Sequence, residues 1–520
     1  MSCEKLIHSE NEKDGIIYCS EGSPSNFNPQ LDTSGTTVDA SSHQIYDRLL
    51  DFDPVSGDIA PALATSWLIS DDGKTYTFQL RKTVNFHSIS TFTPTRTFNA
   101  DDVLFSFNRW RIPTHPYHDI SGGQYPYTDS LGLARLIKDI KRLNGYRVEI
   151  TLHKRESSFL ANLATDFAII MSAEYAEKLV ARNQMELIDH QPVGTGPYKL
   201  MDFYPDRYIR YSKHQEYWRE IELTNKLIFD ITPSSSLRLA KLLTSECDVI
   251  ALPAHSEVEV IRQQQSLVLN EKPGLNVGFW AFNTSKPPFN NPKVRKALSM
   301  AIDRNALIEA IYFDSAIPAR NLVPPTSWAY QSDIKTVSYN PIAAKKLLRE
   351  QGIEEGFSMT IWAMPVERPY NPNALKMAEL MQSYLLQVGI NVNIVSYDWS
   401  TFRNFLTQGL HDSVLIGWSA DNGDPDNFYR PLLSCDSIKS GTNRAMWCSK
   451  EYDQIINQAL QFDDINERIY FYSKANEYLA EKMPILPIAH ASQYQAYRKP
   501  IKGLVINPYG GIKFGGVKKH

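Results

Sequence analysis

The sequence has no apolar run near the ~18 residues that a bilayer span requires. Its most apolar stretch, residues 159–171, is short and interrupted by Asp166. The composition therefore predicts a soluble chain. Charge of one sign is lacking as well: 54 basic against 58 acidic residues leave a formal net charge of −4. A nucleic-acid binder usually carries a basic excess, so that class is disfavoured. Nucleophile and phosphate signatures are absent: there is no Gly-x-Ser-x-Gly elbow, no His-Glu-x-x-His and no Walker loop. The 12 histidines are scattered without metal-ligand spacing. His115 and His118 come nearest to a pair and read as a solvated loop. No leader segment is visible, since Met1-Ser2-Cys3-Glu4-Lys5 runs straight into polar residues. That fits either a cytosolic protein or a mature exported one whose signal was replaced by a start methionine.

Cysteine is scarce, with five in 520 residues, and no Cys-x-x-Cys occurs. Zinc-ribbon and thioredoxin-like readings are correspondingly weak. Cys435 and Cys448 bracket twelve residues, a loop that one disulfide would close, and Cys19 with Cys247 would close a much longer one. Scattered buried thiols are the alternative. Cys3 is left over, as a free thiol near a terminus or a lipid-modified residue, although no lipobox precedes it.

What is present is a long α/β chain. At 520 residues and 42% hydrophobic it exceeds the ~250–300 residues at which single cores stop growing. The apolar period switches repeatedly between 2 and 3.6. Trp67, Ile69, Tyr76, Phe78 and Leu80 alternate around Asp71-Asp72-Gly73-Lys74, a hairpin with a glycine turn. Asn291-Pro292 opens a helix whose stripe is Val294, Ala297, Leu298, Ala301 and Ile302. Asn340-Pro341 opens another, ended by Gly352. Residues 374–388 form an amphipathic helix stopped by Gly389, with a strand starting at Val392 and Ile394. Asp101-Asp102 suits a helix start, where carboxylates favour the dipole. Proline-bearing turns near residues 192–197 and Pro273 are places for the chain to pass between lobes. The 27 tyrosines and 9 tryptophans suit either large cores or an aromatic-lined cavity.

Several segments together resemble the peptide-binding branch of the bacterial extracellular solute-binding proteins of family 5. They are Tyr18-Cys19-Ser20-Glu21-Gly22-Ser23, Phe27-Asn28-Pro29-Gln30, Asn99-Ala100-Asp101-Asp102-Val103 and Gly194-Thr195-Gly196-Pro197-Tyr198. The second half adds Arg368-Pro369-Tyr370-Asn371-Pro372-Asn373 and Gly417-Trp418 followed by Asp421-Asn422-Gly423-Asp424-Pro425-Asp426. The motifs run in family order over almost the whole chain. Phe92-Thr93-Pro94-Thr95-Arg96, Arg430-Pro431-Leu432-Leu433-Ser434-Cys435 and Pro484-Ile485-Leu486-Pro487 also resemble members associated with resistance to antimicrobial peptides.

The resemblance implies a type II-like periplasmic binding protein fold, with two lobes joined by a hinge and an extra domain typical of peptide binders. Lobe I would comprise residues 1–47, 195–273 and 492–520, the extra domain 48–194, and lobe II 274–491. It implies disulfides Cys19–Cys247 and Cys435–Cys448, a periplasmic location of the mature form, and no cofactor, metal or catalytic residue. A monomer would bind a short peptide between its lobes and deliver it to an inner-membrane ABC permease and ATPase complex. Haem, glutathione or a cationic antimicrobial peptide is the alternative cargo.

A dipeptide is a zwitterion with constant ends and variable side chains. A broad receptor must therefore anchor the ends, with a carboxylate for the ammonium and a planar guanidinium for the carboxylate. By resemblance, Asp421 and Arg368 take these roles and Tyr370 and Trp418 line the pocket. Ser34, Gly35, Thr36 and Tyr125 are further candidates. Their competing reading is turn structure, as is a turn-forming role for Asp421 and a surface ion pair for Arg368.

Overall fold

The computed structural model describes residues 15–54 and 56–520, so Cys3 and the first residues lie outside the described part. The chain divides into two units. Unit 1 holds the described residues up to Thr128, Gly132–Glu271 and Tyr494–His520. Unit 2 holds Lys272–Gln493 together with Asp129–Leu131. The chain thus leaves unit 1 two residues before Pro273, whereas residues 192–197 lie inside that unit.

In unit 1, β1 (Gly15–Ser20) follows the uncharged run Gly-Ile-Ile-Tyr-Cys-Ser and is almost wholly buried. Helix α1 (Gly35–Ser41) comes next, then the hairpin of β2 (Ala64–Ile69) and β3 (Thr75–Leu80). Gly73 supplies the left-handed turn at φ +68°. Tyr76, Phe78 and Leu80 point into the core, but Ile69 stays 48% exposed because it ends an edge strand beside the turn. Helix α2 (Ala100–Arg111) starts at a capping box of Asn99 and Asp102. Asp102 does more than face a dipole: it is buried, pairs with Arg96 at 2.7 Å and accepts the Ala173 N–H at 2.9 Å. His115 and His118 follow this helix half-buried rather than solvated, and His118 Nδ1 lies 2.8 Å from the Arg109 carbonyl.

Strands β4 (Ile137–Asn144) and β5 (Arg147–Leu152) complete a four-stranded antiparallel sheet of order β2-β3-β5-β4. The larger sheet adds β6 (Tyr198–Tyr204), β7 (Tyr208–Lys213), β8 (Lys226–Ile231) and β9 (Val249–Ile250). Its order is β9-β1-β8-β7-β6, with β1 parallel to both neighbours. The Cys19–Cys247 disulfide joins β1 to the turn before β9, Cα atoms 5.9 Å apart, within a small core that includes Leu242, Ile250 and Ile261.

Unit 2 begins with β10 (Asn276–Phe282), seven buried residues. Helices α3 (Pro292–Met300), capped by Asn291 with Pro292 in the first turn, and α4 (Arg304–Tyr312) follow. Next come β11 (Ala316–Pro318), α5 (Pro341–Glu350), β12 (Phe357–Ala363), α6 (Ala374–Leu386), β13 (Ile390–Val395), β14 (Ser413–Ser419), α7 (Asp426–Leu433) and α8 (Ile465–Lys482). Strand β15 (Ile485–Arg498) carries the chain back towards unit 1. The sheet runs β13-β12-β14-β10-β15, and β12 is parallel to both neighbours. Val294, Ala297, Leu298, Ala301 and Ile302 all lie in the unit 2 core beside Trp280, Met377 and Leu385. Each large apolar side chain buried there stabilises by roughly 1.5–3 kcal/mol before entropy is counted. The Cys435–Cys448 disulfide closes its 13-residue separation at a Cα distance of 4.4 Å.

A candidate ligand site at the end of strand β14

Two glycines make the seat of the site. Gly278 of β10 lies directly opposite Gly417 of β14. A methyl on Gly278 would lie 2.1 Å from the Tyr370 carbonyl oxygen, and one on Gly417 would lie 2.3 Å from Cδ2 of the Tyr370 ring. Without side chains at these positions, the loop after β12 lies flat on the sheet. The loop is a tight turn: Arg368 N–H donates to the Asn371 carbonyl at 3.2 Å and Asn371 N–H to the Arg368 carbonyl at 2.9 Å. Its backbone is pinned by the buried Tyr312, whose hydroxyl donates to the Tyr370 carbonyl at 2.7 Å. Arg368 and Tyr370 are thereby presented half-buried. Burial raises the Tyr370 phenol pKa, while the charges of Arg368 and Arg403 pull the other way, so both guanidinium groups act at this ring.

Trp418 follows Gly417, opposite Val277. Its indole N–H donates to Asn427 Oδ1 at 3.2 Å, and the Asp421 backbone N–H donates to the same oxygen at 2.9 Å. One buried carboxamide in the first turn of α7 thus fixes the indole and the start of the aspartate-rich loop together. The other carboxylates of that loop have structural work. Asp424 is held by Arg468 Nη2 at 2.7 Å and accepts the Asp426 N–H at 3.0 Å. Burial opposes the Arg468 charge, but Asp424 outweighs it and holds the pKa above its ordinary value. Asp426 is buried against Arg430 one turn along α7.

Four of the expected site residues, Arg368, Tyr370, Trp418 and Asp421, therefore gather at one end of β14. The other four stand in unit 1. Ser34 caps α1, accepting the Thr37 N–H at 3.4 Å and donating to Asp32 at 2.5 Å. Gly35 is exposed beside it, and Thr36 Oγ1 lies 3.3 Å from Ser34 Oγ. The Tyr125 ring is only 1% exposed, and its hydroxyl donates to the His118 carbonyl at 2.9 Å. Sequence reasoning missed Asn427, Tyr312, Gly278 and Arg468. Only Gly278, interrupting an otherwise apolar strand, gave a local signal of close backbone approach.

Two aromatic rings, a guanidinium and a carboxylate, carried on the end of β14 and the loops beside it, can meet the charged ends of a small polar solute. Among the described residues, no group of three or more His, Cys, Asp or Glu is placed to hold a metal ion. The profile of the bacterial extracellular solute-binding proteins, family 5 Middle, matches residues 58–440. The dipeptide-binding protein of Escherichia coli K12 is 44% identical over 96% of this chain and 94% of its own length. The peptide transport periplasmic protein SapA of Salmonella typhimurium is 42% identical over 99% and 94%. A crystal structure of a dipeptide binding protein from Pseudoalteromonas sp. SM9913, in complex with Met-Leu, superposes with a TM-score of 0.95 at 47% identity, covering 97% of this chain and 100% of that one. The chain belongs to the bacterial extracellular solute-binding proteins of family 5, with their type II periplasmic binding protein fold. These are transport receptors rather than enzymes.

Proposed function

We propose that this protein is the periplasmic binding component of an ABC peptide transporter, taking dipeptides or other short peptides by their free termini. Asp421 receives the ammonium, Arg368 receives the carboxylate, and Trp418 and Tyr370 flank the ligand. What supports this reading is that the loop carrying Arg368 and Tyr370 packs on Gly417, next to Trp418 and the backbone of Asp421 at the end of β14, with Asp424 and Asp426 committed to Arg468 and Arg430. An acid and a guanidinium suit the constant ends of a zwitterion whatever its side chains. Ser34, Gly35, Thr36 and Tyr125 form the second set of contacts, and the lobe boundaries at residues 47/48, 194/195, 273/274 and 491/492 belong to the same reading. So do a monomeric state, delivery to a permease and ATPase complex, and a mature periplasmic form.

Calorimetry with Met-Leu, its N-acetyl form and its C-amide tests the two anchors. Leaving one member of a buried charged pair unpartnered costs about 2–5 kcal/mol, or roughly 30- to 5000-fold in affinity. Asp421→Ala should weaken free Met-Leu strongly and barely change N-acetyl-Met-Leu. Arg368→Ala should behave likewise towards the amide. Equal wild-type affinity for free and blocked dipeptides would sink the two-anchor reading. Mass spectrometry of small molecules released on denaturation would then identify haem, glutathione or a longer cationic peptide as cargo.

A further inference from the structure

Away from the end of β14, unit 2 carries a second concave feature. The C-terminal part of α8, the turn into β15, residues 320–322 and residues 334–337 line a groove that is open to solvent. Its apolar surface comes from Leu322, Ile334, Leu479, Met483 and Ile485. No aspartate or glutamate lines it, but Arg304, Arg320 and Lys335 do. Among the acids near it in sequence, Asp303 caps α4 and Glu481 pairs with Lys482, while Asp333 and Glu477 are exposed next to the lining residues Ile334 and Asn476.

Arg304 ties the walls together. Its Nη1 donates to the carbonyls of Ala319 at 2.8 Å and Pro487 at 2.9 Å, and Nη2 donates to that of Val337 at 3.3 Å. A guanidinium has five N–H donors, so Nε–H and one Nη2 hydrogen have no acceptor among the described residues. Burial, then the neighbouring Arg320 charge, pulls the Arg304 pKa below its ordinary value, a load that an anion would relieve. Arg320 and Lys335 are exposed and make no hydrogen bond or ion pair among the described residues. We propose that this groove is a second ligand site, separate from the peptide anchors, for a small amphiphilic carboxylate whose head meets Arg304, Arg320 and Lys335 and whose hydrocarbon body lies along Leu479, Met483 and Ile485.

The test uses ligand-free full-length protein, with decanoate below its micelle concentration as probe. Methyl decanoate and decyltrimethylammonium serve as the uncharged and oppositely charged counterparts. Calorimetry should show one decanoate bound per chain and weaker binding of both counterparts. Exposed ion pairs contribute about 0.2–1 kcal/mol each, so Arg320→Ala with Lys335→Ala should weaken decanoate about tenfold. Arg320→Glu with Lys335→Glu should weaken it further and favour the ammonium probe. These two residues hold no part of the fold, and an unchanged melting temperature checks that. Saturating Met-Leu should leave decanoate binding intact. Equal binding of the three probes, indifference to charge reversal, or displacement by Met-Leu would each overturn the proposal.

Discussion

Gly417→Ala probes the seat of the site directly. The added methyl carbon would lie 2.3 Å from Tyr370 Cδ2, 2.6 Å from Tyr370 Cγ and 2.5 Å from the Val277 carbonyl oxygen. Carbon atoms in contact prefer about 3.5–4.0 Å, so the ring must retreat by more than about 1 Å. It cannot carry its backbone along easily, because Tyr312 holds the Tyr370 carbonyl at 2.7 Å. Overpacking of this kind costs about 1–3 kcal/mol, which in a unit of this size lowers the melting temperature by about 2–4 °C per kcal/mol. Dipeptide affinity should fall too, since the displaced ring moves both its own face and the neighbouring Arg368. Tyr370→Ala removes one of the two obstacles, so adding Gly417→Ala to it should cost less than in wild type, with a coupling energy of about 0.5–3 kcal/mol. The Val277 carbonyl remains in the way and makes the recovery partial. Thermal unfolding and Met-Leu calorimetry on the four proteins read the cycle. Gly417→Ala with wild-type stability and affinity would refute the seating of Tyr370 on β14.

Three further outcomes follow from packing and charge. Arg468→Met strands the Asp424 carboxylate, and loss of one partner of a buried pair costs about 3–5 kcal/mol; adding Asp424→Asn should return part of it, and no loss by chemical denaturation would disprove the pairing. Replacing Cys435 and Cys448 by serine should cost about 3 kcal/mol and replacing Cys19 and Cys247 about 5 kcal/mol, following loop length under the disputed chain-entropy model; non-reducing peptide mapping that finds free thiols at these four positions would remove the premise. Burial lowers the pKa of His43, His255, His411 and His490 from 6.5 to about 4 and that of His87 to about 3. A depressed folded-state pKa gives stability that is present above the unfolded value and lost as pH falls towards the folded one. Stability should therefore decline from pH 6.5 to 4, and a flat or rising profile in denaturant titrations would contradict the burial of these rings.

Local patterns carried much of the architecture. Asn291-Pro292 and Asn340-Pro341 stand at the starts of α3 and α5, as side-chain caps and first-turn prolines should. The alternation of Tyr76, Phe78 and Leu80 became the buried face of β3, because a strand's side chains alternate whatever its partners. Ile69 broke the same pattern, since facing a core also requires a neighbouring layer, and its edge position supplies little cover. The histidines at 115 and 118 do lie in a loop, but half-buried rather than solvated, with ring nitrogens beside backbone groups.

From its sequence alone, then, this protein is an α/β chain of capped helices and alternating strands, nearly balanced in charge, with motifs in the order of one transport family. Those features are local, or they are inherited order along the chain, and neither needs coordinates to be read. Tertiary structure decided the site. Gly278 and Gly417 are 139 positions apart in sequence yet face each other across two strands. Asn427 gains its role only because α7 brings its carboxamide to Trp418 and Asp421 together. Asp424 resembles Asp421 as a loop acid until Arg468, on a different helix, claims it. Register and helix docking create such contacts between distant residues, and the free energy of a buried charge or a close backbone approach depends on the partner that arrives, not on its neighbours along the chain.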